Sequence, residues 1–263
     1  MKKFKKNLNS LMTLILSILG AFIFYQYLIA SPKTEAEWSS EYKLLPTFEI
    51  TDNSVTVNNL RDFKYSKDKI DAENYLNKTY DLNKLQSVNL GFEPSSVKPL
   101  AGTFLIFNFE GGESVSVNAE SRREAYEQSA SSDIFWSNVN KYELIYVWAT
   151  EADFINKRSL SAQKALFVYP LIITKQDAKA LFVELAKISG DLEKTPAFYN
   201  DFTRNKNELI YAVSKIKPSL IPQHYSVYFE GFLPEYLYKI GLINNDLSFA
   251  DVTKGSDITN SAN

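Results

Sequence analysis

Residues 103–120 read TFLIFNFEGGESVSVNAE, and they decide the fold class. Two β-rich runs flank Gly111-Gly112, a dipeptide that supplies the backbone freedom of a tight hairpin turn. Other strand-like stretches surround this hairpin. SVTVNNL (54–60) alternates as a half-buried strand does, and YELIYVWAT (142–150) is a long apolar run. Residues 74–94 read as a loop or short helical turn around Tyr80 and Asp81, followed by a strand through Val88 and Leu90. ALFVYPLII (165–173) is a further strand, with Pro170 marking an edge or an end. Helical signals fall between the strands. RREAYEQ (122–128) is a candidate short helix, and EADFINKRSLSA (151–162) has helical spacing. From Thr174, a good N-cap, an apolar stripe of Ala178, Leu181, Phe182, Leu185 and Ile188 runs to Gly190, which is expected to close the helix. Antiparallel strands with flanking helices make an α+β domain.

Composition narrows the function classes. Hydrophobic residues are 45% of the 263 and aromatics 14%, enough for one packed core. The formal net charge of −2 offers no basic field for nucleic acid, so none is expected as a partner. There are no cysteines, which excludes disulfides, thiolate metal sites and cysteine catalysis. One histidine limits any triad to His224, and its setting between a proline and apolar residues reads as structural. Tyr225, Tyr228 and Phe229 beside it are expected to pack against the core. The nine glycines are scattered and form no phosphate-binding loop, and no cofactor or metal is expected. Glu151 and Asp153 read as charges capping the helix that follows them rather than as a metal or acid/base pair.

The amino terminus carries the strongest physical signal. Lys2, Lys3, Lys5 and Lys6 precede the uncharged stretch 11–30, which has the length of about 20 residues that a bilayer-crossing helix needs. The alternative is a cleaved signal peptide. Leu28 fits the small-x-small cleavage pattern poorly and the apolar run is long, so the signal-anchor reading is preferred. The expected organisation is a basic cytoplasmic tail (1–10), a transmembrane segment (11–30), a polar linker (31–41), an extracytoplasmic domain (42–251) and a disordered tail (252–263).

Residues 198–213 read FYNDFTRNKNELIYAV, a polar turn opening an amphipathic helix. Such a turn suits an anion or a reactive thiolate, because its N–H groups are unpaired and the dipole favours negative charge. The turn holds Arg204, Asn205, Lys206 and Asn207 and no usual nucleophile.

VNNLRDFKY (57–65), TYDLNKLQSVNL (79–90), GTFLIFNFEGGESVSVNAESRRE (102–124), YELIYVWATEADFINKRS (142–159) and FYNDFTRNKN (198–207) occur in an order that resembles the Lnb N-terminal periplasmic domain family of bacterial envelope proteins. The resemblance covers roughly residues 38–250 and implies a permuted papain-like or NlpC/P60-like fold, with a link to lipoprotein N-acyl transfer. In the family an Ala-His-Thr-Phe motif opens the hairpin and an Asn-Asn-Cys-Thr turn follows Phe-Tyr-Asn. Here those places read Ala101-Gly102-Thr103-Phe104 and Arg204-Asn205-Lys206-Asn207, so Gly102 and Lys206 stand where the resemblance implies the catalytic pair. A Cys-His acyl-transfer mechanism cannot lose either residue. What the resemblance implies is therefore a catalytically degenerate binding protein of the envelope, holding a lipoprotein, peptide or lipid. The alternative is a cysteine-independent acyltransferase or hydrolase. Lys206 is either a solvated lysine, the plainer reading, or an amine freed by the helix dipole. The residues expected to line the groove are Arg122, Arg123, Tyr199, Asn200, Asn205 and Lys206. For the two arginines the competing reading is a strand-end pair with Glu120 or Glu124.

Overall fold

The computed structural model describes residues 2–28, 30–67, 69–127, 140–161, 164–200, 212, 221 and 224–259. The chain is mixed α+β. Helix α1 (Lys2–Leu28) leads into a domain of ten strands. These are β1 (Thr47–Ile50), β2 (Ser54–Arg61), β3 (Lys64–Ser66), β4 (Lys69–Ala72), β5 (Tyr75–Asp81), β6 (Leu85–Pro94), β7 (Ala101–Phe109), β8 (Ser114–Arg122), β9 (Glu143–Ala149) and β10 (Phe167–Pro170). Helices α2 (Glu151–Asn156), α3 (Lys175–Lys194), α4 (Leu233–Lys239) and α5 (Phe249–Gly255) flank them. One eight-stranded sheet runs β1-β2-β9-β8-β7-β6-β10, with β5 also on β2, while β3 and β4 form a separate hairpin. All sheet pairs are antiparallel except a single β2–β9 contact, Arg61 with Ala149.

The expected hairpin forms: Gly111 and Gly112 take φ of 85° and 79°, and β7 and β8 pair from Asn108–Ser114 to Leu105–Val117. No register pair joins β7 to β8 beyond Leu105–Val117, although β7 continues on β6 to Ala101–Pro94 and β8 on β9 to Arg122–Glu143. The ends of β6 and β8 and the starts of β7 and β9 thus lie together at one end of the sheet, with the hairpin turn at the other.

Strand alternation sorts side chains onto two faces. On one face α3 packs its apolar stripe. Phe182 is ringed edge-on by Phe107, Trp148 and Phe109 at 4.9, 5.2 and 5.5 Å between centroids. Burying such a ring contributes roughly 2–3 kcal/mol. The Trp148 indole N–H donates to Ser189 Oγ (2.9 Å). The second face carries a smaller core of Phe104, Ile106, Ile145, Val147 and Phe154.

Several local expectations change. Gly190 does not close α3, which continues to Lys194. A Cβ at 190 would come within 3.3 Å of the Phe48 ring, so glycine lets β1 approach the helix. Tyr80 lies in strand β5, and the helical turn is a 3₁₀ turn (Leu82–Lys84) capped by Asp81. Residues 123–127 form a bridge and turns, not a helix. Residues 252–258 do not fray: α5 is capped by Ser248, the Ile258 N–H donates to the Leu166 carbonyl, and Asp257 bridges Phe167. Residues 31–41 are no free linker, because Lys33, Trp38 and Ser39 bond along residues 123–124 and 143.

Candidate functional site

Gly102 lies at the start of β7, on the same face as Phe104, opposite Glu93 of β6. Its position therefore opens onto the second face, where charged groups from four separate segments meet. α2 begins at Thr150, whose hydroxyl caps it by accepting from the Asp153 N–H. Its course continues through a π-helical turn (Lys157–Ser161) that brings Lys157 and Arg158 over the sheet. The Arg158 guanidinium lies between the rings of Phe104 and Phe154, 4.7 and 4.4 Å from their centroids. It faces Glu93 through Nε (3.3 Å) and donates to Glu120 through Nη2 (3.3 Å). Glu120 also accepts from the Tyr42 hydroxyl and the Asn118 amide, each at 2.8 Å. Lys157 stands 2.9 Å from Glu41 and 3.5 Å from Glu120. Lys164 pairs with Glu93.

The electrostatics follow from this packing. Burial would push the Glu120 carboxyl up, yet Lys157, Arg158, Arg61 and the Asn118 hydrogen bond hold it well below the usual carboxylate range. Burial pushes the Tyr42 hydroxyl up, and the adjacent Glu120 charge adds to this. Lys157 is pulled down by burial but raised overall by Glu120, Tyr42 and Glu41. The cluster is an ion network in which the carboxylates accept hydrogen bonds or face cations, while the buried Arg158 Nε and Asn118 Oδ1 make no hydrogen bond among the described residues. None is a base left open to a substrate.

The residues expected to line a groove separate into three groups. Arg122 is buried: its Nε and Nη2 donate to the carbonyls of Tyr42 (3.0 Å) and Lys43 (3.1 Å), under the Trp38 ring at 4.1 Å. Burial pulls it down to about 10. Neither Glu120 nor Glu124 is its partner; the chain leaving α1 is. Arg123 and Tyr199 both meet Tyr142. The Arg123 guanidinium lies 4.6 Å from the Tyr142 ring centroid, and the Tyr142 carbonyl accepts from the Tyr199 N–H at 2.8 Å. Tyr199 and Asn200 are buried, and the bridge from Phe198 to Glu143 leads them to the sheet end where Gly102 lies. Asn205 and Lys206 lie outside the described residues, as does their separation from Gly102.

His224 is structural, as expected. Its Nδ1 is 2.9 Å from Ser226 Oγ, it caps the 3₁₀ turn Tyr225–Val227, and its ring stacks on Tyr236 at 4.2 Å. Tyr225, Tyr228 and Phe229 are a correction: they are exposed rather than packed in the core. Asp153 acts as more than a capping charge, since it is fully buried on Arg61. No spacing signal announced Glu93, Glu120, Lys157 and Arg158 as one cluster, because they come from strands and a turn joined only by the fold. Among the described residues, no group of three or more Asp, Glu or His side chains is placed to hold a metal.

No curated protein and no solved structure matches this chain. The family model described as the Lnb N-terminal periplasmic domain matches residues 71–227, which include β5 to β10, α3 and position 206. With more than half of its length so matched, the chain belongs to the Lnb N-terminal periplasmic domain family.

Proposed function

We propose that this is a membrane-anchored periplasmic domain of permuted papain-like type that holds a lipid-linked or peptide ligand and has lost the acyl-transfer chemistry of its scaffold. α1 contains one segment, Asn9–Leu28, long and apolar enough to cross a membrane. Anchoring by that segment fits a periplasmic family. The observation that carries the loss of chemistry is Gly102. It stands where the family motif has histidine, and its strand neighbour Glu93 is engaged by Arg158 and Lys164. Glycine offers no base, so a nucleophile across the groove would have none to activate it. Of the expected ligand residues in the described part, Arg123 and Tyr199 meet at Tyr142, at the same end of the sheet as Gly102 but on the α3 face.

The test uses the full chain in detergent with a biotinylated diacylated lipopeptide. Capture without change in lipopeptide mass, retained in Lys206→Ala, supports binding without turnover. A gain or loss of an acyl chain, abolished in Lys206→Ala, would overturn it in favour of a cysteine-independent enzyme. Absence of capture would overturn the binding role. Scaffold geometry is tested separately. A protein carrying both Gly102→His and Lys206→Cys should react with a thiol-directed acyl probe faster than one carrying Lys206→Cys alone, and equal rates would sink the papain-like placement.

A further inference from the structure

The chain leaving α1 is tied to the domain without slack. The Asn140 side-chain amide donates to the Gln26 carbonyl in the last turn of the apolar segment (3.1 Å). Beyond Leu28, the Lys33 N–H donates to Glu143 Oε1 (2.9 Å), and its ammonium pairs with Glu124. The Ser39 N–H then donates to the Arg123 carbonyl (3.0 Å), and the Ala125 N–H to the Glu37 carbonyl (2.7 Å). Leu28 and Lys33 are five positions apart, so they are separated by at most about 18 Å of chain. Whatever surface α1 emerges from lies next to the start of β9 and the end of β8.

That same end carries exposed aromatic and apolar side chains. The β6–β7 connection, residues 95–100, belongs to it by register. The turns 225–232 are locked onto this connection: the Gly231 N–H donates to the Pro99 carbonyl (3.1 Å), Thr103 Oγ1 donates to Glu230 (3.1 Å), and Lys98 lies over the Phe232 ring. Val97 is 53% exposed, Tyr225 58%, Tyr228 49% and, beside Lys33, Tyr126 71%. Tyrosine rings with flanking lysines match the headgroup layer of a bilayer, where the ring is half-solvated and its hydroxyl stays wet.

We infer that this end of the sheet is a membrane-contacting surface, with Val97, Tyr126, Tyr225 and Tyr228 entering the headgroup layer of the leaflet from which α1 emerges. The inference rests on α1 being a span. It goes beyond anchoring, because it fixes how the domain stands: the β7–β8 turn points away from the bilayer, and Gly102 lies at the bilayer end. A ligand with an acyl chain then reaches the groove without leaving the membrane plane.

The absence of cysteine makes single-site labelling clean. The full chain in phosphatidylcholine nanodiscs receives a polarity-sensitive fluorophore at Val97→Cys, Tyr228→Cys, Glu110→Cys or Leu16→Cys. Lipids carry a nitroxide in the headgroup or in the acyl chain. Glu110 follows the nine-residue β7 at the far end of the sheet, about 27 Å from Gly102. Labels at 97 and 228 are expected to be blue-shifted and quenched by headgroup nitroxide, the label at 110 neither, and the label at 16 quenched by chain nitroxide. If 97 and 228 are quenched no more than 110 while 16 is quenched, the contact is overturned with the span intact. An unquenched label at 16 overturns the span and the contact together. A blue shift at 97 and 228 without quenching, growing with protein per disc, assigns the surface to a second copy and overturns the membrane assignment.

Discussion

Arg61 and Asp153, 92 positions apart, form a buried forked ion pair. Arg61 Nε donates to both Asp153 oxygens (3.2 and 3.0 Å) and Nη2 to Oδ1 (2.7 Å), while Oδ2 also accepts from the Phe63 N–H (2.8 Å). Both side chains are almost wholly shielded. The pair pins the end of β2 to the first turn of α2, and α2 leads on to Lys157 and Arg158. Removing one partner leaves a charge buried without compensation. Arg61→Ala or Asp153→Ala is therefore expected to cost about 3–5 kcal/mol in urea unfolding. A loss under about 1 kcal/mol would show that the pair does not hold the frame.

Arg122 supports the strap between α1 and the domain rather than facing a ligand. Arg122→Ala leaves the carbonyls of Tyr42 and Lys43 without their donors and removes the guanidinium from the Trp38 ring. The expected loss is about 2 kcal/mol or more, read as a lower Tm. Arg122→Lys should recover only part of it, since an ammonium cannot reproduce the two-pronged contact. Arg123→Ala is the contrasting case, with a smaller stability loss and a larger effect on lipopeptide capture.

The difference between those arginines shows what was legible in the sequence. Gly111-Gly112 between β-rich runs announced β7 and β8, and Thr174 with its apolar stripe announced α3, because those signals are local. Gly190 misled because its reason for being small is Phe48, distant in sequence. Arg122 and Arg123 look alike in sequence, and only the register of β8 turns one toward Tyr42 and the other toward Tyr142. The ion network on the second face was illegible for the same reason: Glu93, Glu120 and Arg158 meet through strand order, which periodicity does not reveal. Gly102 stood out only through the family motif, since a glycine in a strand has no signature of its own.

Glu120 and Glu143 should respond to pH in opposite senses. Glu120 is held well below its ordinary 4.5 despite burial, by Lys157, Arg158 and Arg61. Its contribution is present above pH 4.5 and lost as pH falls through the depressed folded value. Glu143 is pushed above 4.5 by burial, against the Lys33 N–H bond. Its contribution is present below pH 4.5 and lost as pH rises through the raised folded value. Glu120→Gln should therefore be less stable than the parent at neutral pH, with the gap narrowing on acidification. Glu143→Gln should be the more stable protein at neutral pH and lose that advantage below pH 4.5. Parallel shifts in both variants would contradict the assignment.

Gly231 is required by a close approach. A Cβ there would fall 1.9 Å from the Lys98 carbonyl oxygen, which is backbone and cannot rotate away. Gly231→Ala must separate the 225–232 turns from the β6–β7 connection, at an expected 1–3 kcal/mol, roughly. Thermal unfolding reads the loss. Weaker headgroup quenching of a label at Tyr228→Cys should accompany it, because the turn no longer stands against Lys98 and Pro99.

Gly102 presents the opposite case. The three atoms nearest a Cβ at 102 all belong to Glu93, its Cβ at 3.3 Å and Oε2 at 3.7 Å among them, and the backbone there is not left-handed. The Glu93 Cβ moves only with its backbone, so β6 must give by a few tenths of an ångström. A strand glycine also costs about 0.5–1 kcal/mol against a residue with a Cβ, which offsets the crowding. Gly102→His should therefore fold with a Tm close to the parent's, whereas Gly231→Ala should not. The introduced imidazole would lie beside the Glu93 carboxylate, which favours its protonated form and raises its pKa above the ordinary value of about 6.5. With His224 as the only other histidine, two imidazole signals suffice to follow this by NMR titration. Adding Glu93→Gln should bring the new signal's midpoint back down. If Gly102→His instead melts far below the parent, position 102 has no room for a side chain, and the glycine is there for packing rather than as the trace of a lost base.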